Sequence, residues 1–488
     1  MTDIDTDVLI AGGGPTGLTL AIQLARQGVP FRLIDKADEY FGGSRGDGLQ
    51  PRTLEVFDDL GVLDTVLATG RTAPLMRSFR KGEVVWEGRM AEPVEATPDV
   101  PYPNTYFVPQ WLTEQILRDR LAQLGGKVEL GTELLGFAQD EDGVMATINQ
   151  AGSARTVRAR YLVGADGGRS AVRRTLGLAF VGETDDDLRL MLADVRAPGL
   201  DHEIGSVFSN TDDPMNSTAF VVFTPLYGTH PDAFVLAGTP PERDAELSLD
   251  YLRDLVARAT ENEPGIELTD LTWSTIWRLN VRMVELFRVG RVFLAGDAAH
   301  VYPPTGGQGL NTGVQDGYNL GWKLAAVLAD GASAGLLDSY EAERLPIAKD
   351  VLRLSHELIE KQGRGDEDAH VRGPETQQLL LNYRGGPLTR ELRAEPGPLR
   401  AGDRAPDGPA LDANGRTVRV FDLFRGPHWT VLSRDVVVGD VGVPVYAIGA
   451  DYPVSGPTVL VVRPDGYIGL AANDAGQVGE YLKTLVLG

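Results

Sequence analysis

Three glycines spaced Gly12-x-Gly14-x-x-Gly17, with Asp35 farther on, are the first residues whose types and spacing could do chemistry together. The spacing suits a diphosphate. Gly12 permits a tight turn, Gly14 lets the backbone approach phosphate, and Gly17 lets the following helix lie against its strand. Pro15 and Thr16 then fall in the first helical turn, where free N–H groups attract an anion. Asp35 lies 18 residues after Gly17, a position from which a carboxylate accepts from ribose hydroxyls, and Lys36 follows it. Such a site needs a buried strand before it and a helix after it. Val8 to Ala11 reads as the strand, and Leu18, Ala21, Ile22 and Leu24–Ala25 recur at helical spacing up to Gly28. Phe31–Ile34 is a second strand that ends on Asp35. This strand–turn–helix–strand unit belongs in a parallel sheet and points to a dinucleotide.

Two further motifs narrow the choice. Arg291–Ala295 is a buried strand running into Gly296-Asp297-Ala298-Ala299-His300, followed by Pro303-Pro304-Thr305-Gly306-Gly307-Gln308-Gly309-Leu310-Asn311-Thr312-Gly313. Gly164-Ala165-Asp166-Gly167-Gly168-Arg169 places a second Asp-Gly pair after the strand at 161–165. With these motifs in this order the chain resembles the class A (single-component) FAD-dependent aromatic hydroxylases, the para-hydroxybenzoate hydroxylase family, over residues 5–360. The resemblance implies that FAD is bound without a covalent link and that NADPH or NADH is the co-substrate. It assigns Asp297 to a ribityl hydroxyl, and the backbone of Gly307, Gly309, Leu310 and Asn311 to the N1–C2 edge of the flavin. That edge becomes anionic on reduction, so N–H donors at a helix start suit it. Asp166 is associated with both FAD and the nicotinamide, Arg45 with the FAD phosphates and flavin, and Gln110 with FAD. Arg45, Pro304 and Gly306 are the expected flavin-positioning residues. The structural alternatives are a surface charge for Arg45, a helix-start residue for Gln110 and a helix cap for Asp297.

The surrounding elements define the organisation. Helical patterns (Leu112–Leu124) and strands (Val128–Leu130, Val144–Ile148) continue to about residue 180. Between 181 and 282 the texture becomes that of an antiparallel sheet, with strands expected at Leu188–Val195, Ser217–Thr224, Phe234–Gly238 and Leu271–Trp277. The expected fold is α/β, a Rossmann-like FAD-binding domain (1–180 and 283–362) with an inserted antiparallel-sheet substrate domain (181–282). A linker (363–397) leads to a C-terminal domain (398–488) that resembles the thioredoxin-like tail of phenol and polyketide hydroxylases. Strands are expected there at Val418–Leu423, Thr430–Leu432, Val443–Ile448, Val459–Val462 and Tyr467–Leu470. A hairpin turn is expected at Pro464-Asp465-Gly466 and a helix at Val478–Leu487. The chain has no cysteine, so dithiol chemistry is impossible there and a disulfide reductase is excluded. The tail is therefore expected to be dispensable for cofactor binding.

A net charge of −23 argues against nucleic acid and anionic membrane partners. The acidic N-terminus is unlike a secretory signal, no apolar run is long enough to span a membrane, and a cytoplasmic protein is expected. The six histidines have no ligand-like spacing, so no metal is expected. A homodimer is compatible with this composition. The resemblance implies NAD(P)H- and O2-dependent hydroxylation of a phenolic ring through a flavin C4a-hydroperoxide, and no general base can be read from the residues. Phe220, Phe223, Trp273, Pro303 and Pro304, with Trp277, are the substrate-side candidates. The polyketide-type tail and the lack of a basic cluster favour a polycyclic aromatic polyketide of an antibiotic pathway. Baeyer–Villiger insertion into a polyketide and hydroxylation of a small phenol are the alternatives.

Overall fold

Val8-Leu9-Ile10-Ala11 can be apolar throughout because the strand Thr6–Ala11 is buried on both faces at the centre of a parallel sheet. In the computed structural model, which describes residues 4–211, 219–240, 246–261, 266–303, 306–364, 372–412 and 414–486, this strand lies between Phe31–Ile34 and Ser153–Gly164. Val128–Glu129 lies beyond one neighbour and Val292–Leu294 beyond the other, all parallel. Ala11, Ile34, Gly164 and Leu294 therefore finish on one edge, where a parallel sheet binds its ligand.

Helix Pro15–Arg26 packs against helix Gly309–Leu328, in which every residue from Asn311 to Ala326 is buried. Contact is close because Gly313, Gly317 and Gly321 present a smooth ridge at four-residue spacing. A Cβ on Gly317 would sit 2.5 Å from the Thr16 carbonyl oxygen, and one on Gly321 2.5 Å from Gln23 Cβ. Gly317→Ala is therefore expected to lower stability by about 1–3 kcal/mol through overpacking, more than any gain in helix propensity. Denaturant unfolding checks it, with an unchanged midpoint as the contrary result.

The inserted sheet has eight strands, in the order 300–301, 270–283, 181–196, 233–238, 220–225, 204–209, 75–80 and 83–88. Its strands outrun the apolar patterns, as in Val181–Arg196 and Asp270–Met283. Ser217 lies outside the described residues, and the strand there begins at Phe220. The hairpin Leu75–Arg80 and Glu83–Gly88 joins from outside residues 181–282, pairing in parallel with Ile204–Phe208. Helix Leu249–Ala259 covers one face through Leu252, Leu255 and Val256.

The C-terminal part carries a seven-stranded mixed sheet with helix Gly476–Val486 against it, consistent with the thioredoxin-like expectation. Val418–Leu423 is not one strand. Strand Thr417–Arg419 gives way to helix Val420–Phe424, whose apolar residues at 420, 421, 423 and 424 have helical spacing. Nor is the stretch after 363 a free linker over its described residues. Tyr383 and Leu388 are buried, and Arg390–Glu391 pairs with Leu470–Ala471 as an edge strand.

Candidate functional site

The sheet edge is shaped by glycine. Gly12 has φ +109°, and a Cβ there would lie 2.2 Å from the Ala165 carbonyl oxygen. A Cβ on Gly17 would lie 2.0 Å from the Gly12 carbonyl oxygen, while one on Gly14 would meet nothing within 4 Å. The first two glycines thus close the turn, and the third leaves open space before helix Pro15–Arg26, whose N-terminus has no side-chain cap. Asp35 accepts from the Gly13 amide at 2.8 Å and the Ala37 amide at 2.9 Å, so it braces the loop while keeping lone pairs for ribose hydroxyls. Lys36 beside it is exposed. One oxygen of Asp166 accepts from the Ala171 and Val172 amides at 2.6 and 3.2 Å; the other is enclosed without a partner.

Next along the edge stands Gly296-Asp297. Asp297 is exposed to solvent, with protein packed around it. The enclosure raises its pKa, against the pull of His300 and Arg45. No side chain caps the short helix Gly296–Ala298, so Asp297 is not a cap there. Arg45 is exposed, its guanidinium 4.7 Å from the Phe41 ring centre, and Gln110 donates to Glu114 at 2.8 Å from the start of helix Gln110–Gln123.

The glycine loop before helix Gly309–Leu328 is clamped from two sides. Asn311 donates to the Gly48 carbonyl at 2.8 Å and the Gly307 carbonyl at 2.6 Å, and accepts from the Gln50 amide at 2.8 Å. The Gly306 carbonyl receives Gln308 at 2.7 Å and Gln50 at 3.1 Å. Gln378, from the stretch read as a linker, donates to Gln308 at 2.7 Å. Gly306 and Gly307 have φ +88° and +62°, and Gly309 and Leu310 open the helix without a side-chain cap. Pro303 is buried; Pro304 and Thr305 lie outside the described residues. Gln50 and Gln378 carried no sequence signal, and Gln308 stood inside the glycine motif without a side-chain role, because the meaning of all three lies in partners that the folded chain brings to them.

Two uncapped helix starts, the open space at Gly14, the unpartnered Asp166 oxygen and the unengaged Asp297 form a row of donors and acceptors along one edge. An extended FAD, with pyrophosphate at 12–17 and flavin toward 306–311, fits that row.

Beneath the Gly296–Asp297 turn, Asp316 accepts from the Gly296 amide (3.0 Å), His300 Nε2 (2.6 Å) and Arg344 Nε (2.7 Å). Burial alone would raise this carboxyl; Arg344 and His300 outweigh it and hold it below the usual range. Arg344 also reaches the Tyr383 hydroxyl at 3.1 Å. Two helical turns on, Lys323 and Glu343 meet at 2.7 Å, and Arg463 grips Glu343 (2.7 Å) and Asp465 (2.5 Å), all fully buried. Burial lowers Lys323 to about 8. Burial would raise Glu343, but Arg463 and Lys323 prevail and hold it at about 2.

Cross-strand register sorts the side chains of the inserted sheet between its two faces, and Trp273 marks the face turned toward the loop that carries Gly43. Asp194 stands opposite Trp273 and Val235, and Val235 opposite Thr224, so these side chains share a face, with Phe220 and Trp277 at alternate positions. Trp273 lies against Gly43, where a Cβ would be 2.4 Å from its ring, and meets Phe41 edge-on at 5.7 Å. Phe223 points the other way. It is fully buried, packed edge-to-face on Phe208 and Phe234, so it belongs to the core and not to a pocket wall.

One residue on the opposite side, in the loop that also carries Arg45, had no sequence signal. Asp47 is raised to about 7, chiefly by burial and then by the charge of Asp194. Its carbonyl receives the Val108 amide at 2.8 Å, fixing it beside the Gly48–Asn311 contact.

A family model described as an FAD binding domain matches residues 5–355. A flavin-dependent monooxygenase of Mycobacteroides abscessus is 46% identical, over 98% of this chain and 100% of that protein. The 12-dehydrotetracycline 5-monooxygenase/anhydrotetracycline 6-monooxygenase of Streptomyces rimosus is 34% identical, over 95% and 94%. Among solved structures, a ternary complex of aklavinone-11 hydroxylase with FAD and aklavinone superposes with a TM-score of 0.81, at 28% identity and full coverage of both chains.

Proposed function

The chain belongs to the FAD-binding-domain family of flavin-dependent monooxygenases, and on that premise we propose that it hydroxylates a polycyclic aromatic polyketide at the cleft between the glycine loop and the inserted sheet. When bound, FAD accepts hydride from NAD(P)H and activates O2 for attack by an electron-rich ring. The residues that would hold it are Gly12–Gly17 and Asp35 at the dinucleotide end, and Asp297 with Gly307–Asn311 at the flavin end. Arg45, beside Asp297, adds positive charge there.

The face of the inserted sheet carries the reading of the substrate. Phe220, Val222, Val235, Trp273 and Trp277 make it apolar and broad, which suits fused rings more than a single ring. At ~25 cal/mol per Å2 of apolar surface, a fused skeleton gains several kcal/mol more than a monocycle. The relatives named for tetracycline intermediates and aklavinone support the same class. Asp47, next to Gly48 in the loop that Asn311 ties to the glycine loop, is the group we assign to accept the proton of the phenolic hydroxyl, and the burial that raises it to about 7 suits that role. Among the described residues no helix is long and apolar enough to cross a membrane, and a cytoplasmic role in an antibiotic pathway fits this reading.

The purified protein is expected to be yellow and to release its flavin in acid. NADPH consumption and peroxide release are then followed with aklavinone, anhydrotetracycline, simple phenols and hydroxybenzoates. Coupled product is expected with the tetracyclic compounds, and coupled turnover confined to a single-ring acid would overturn the substrate class.

A further inference from the structure

We infer that Asp316 is a positioning residue for FAD, its buried carboxylate holding from below the turn that presents Asp297. The inference rests on Asp297 as the residue that holds the ribityl chain, and adds a group that cannot itself touch the cofactor. Among the described residues no hydrogen bond holds the Asp297 side chain, so its place is set by its backbone. On one side of the turn the Ala295 amide donates to the Gly164 carbonyl at 3.0 Å. On the other, the Ala299 carbonyl receives the Val284 amide at 2.9 Å. Between these ties the Gly296 amide donates to Asp316 Oδ2 at 3.0 Å.

A brace between helices Gly309–Leu328 and Asp338–Arg364 needs only one carboxylate oxygen. Oδ1 supplies it, accepting from Arg344 Nε at 2.7 Å. Oδ2 is committed to the turn, through Gly296 and through His300 Nε2 at 2.6 Å. Arg344 is fixed in its place by the Tyr383 hydroxyl at 3.1 Å and the Thr312 carbonyl at 3.2 Å. Asp316, His300 and Arg344 are all 0% exposed, so solvent does not replace a hydrogen bond lost there.

The three donors decide what Asp316→Asn does. Its amide has one oxygen that accepts and an NH2 that only donates. Arg344, always charged, claims the oxygen, which turns the NH2 onto the Gly296 N–H. His300 can answer by changing tautomer; a backbone N–H cannot. The turn must shift, and Asp297 moves with it.

The test is a double-mutant cycle read as FAD affinity, by fluorescence titration of the full chain stripped of its flavin. D297A is expected to weaken FAD about 10- to 100-fold and D316N about 10-fold. Because Asp316 acts through Asp297, adding D316N to D297A should cost less than about twofold more. An equal loss from D316N in both backgrounds would mean general structural damage and overturn the inference. Wild-type affinity in D316N would overturn it as well. Unchanged affinity in D297A would instead remove the reading of Asp297 on which the inference rests. Should D316N not accumulate, D316L/R344M replaces the buried pair by apolar side chains, leaves the Gly296 amide equally unpaired, and is read in the same cycle.

Discussion

Ending the chain at residue 397 is expected to give protein that neither stays soluble nor retains FAD. The cysteine-free tail reads as a dispensable appendage, but the structure opposes that reading. Arg463 and Asp465 complete a buried cluster with Glu343, Lys323, Asn319 and Trp322, and Arg404 pairs with Glu55 at 2.8 Å. Truncation would leave Glu343 and Lys323 beside a newly wetted apolar wall, and would bare Trp322, which packs on Trp429 at 5.6 Å. Breaking one buried pair costs about 3–5 kcal/mol, a large share of a typical stability of about 5–15 kcal/mol. The loss would reach the cofactor because helix Gly309–Leu328 carries both this cluster and the glycine loop. Soluble yield and visible absorbance after gel filtration decide it; a yellow, monodisperse truncation would refute it. Arg463→Met is the milder form, expected to cost a similar 3–5 kcal/mol with the tail still present.

Gly12→Ala should abolish tight FAD binding. At φ +109° an L-residue is strained, and its Cβ would lie 2.2 Å from the Ala165 carbonyl oxygen. That oxygen cannot retreat, since the Ala165 amide is bonded to the Ala11 carbonyl at 2.8 Å. The loop must move instead, out of register with helix Pro15–Arg26. A distortion of about 3 kcal/mol corresponds to a ~100-fold weaker Kd. Fluorescence titration of apoprotein with FAD measures it. Near-wild-type affinity would mean that the turn is not the phosphate cradle.

The parts of the site readable in the chain are those whose physics is local. Gly12, Gly14, Gly17 and Asp35 lie on one turn, and helix Gly309–Leu328 shows its period and its opening glycines within 20 residues. Asp47, Asp194 and Asp316 show nothing comparable. Each is an ordinary acidic residue until a distant strand or loop buries it. The hairpin at 75–88 escaped for the same reason, since its short apolar pattern gains meaning only beside Ile204–Ser209. Val420–Phe424 misled in another way, since β-branched and aromatic residues there outweighed helical spacing. Phe223 shows the limit of composition, because only the register says which face an aromatic takes.

The cluster joining Arg463 and Asp465 to Glu343 also constrains the order of events during synthesis. The nucleotide-binding half begins at the first strand, yet helix Gly309–Leu328 cannot bury its charges until residues near the C-terminus emerge. Vectorial, domain-by-domain maturation is thereby blocked, and the nascent chain must wait, with apolar surface uncovered, for its last strands. Contacts this distant in sequence raise the contact order and so slow folding. They also tie the stability of helix Gly309–Leu328 to that of the strands that carry Arg463 and Asp465.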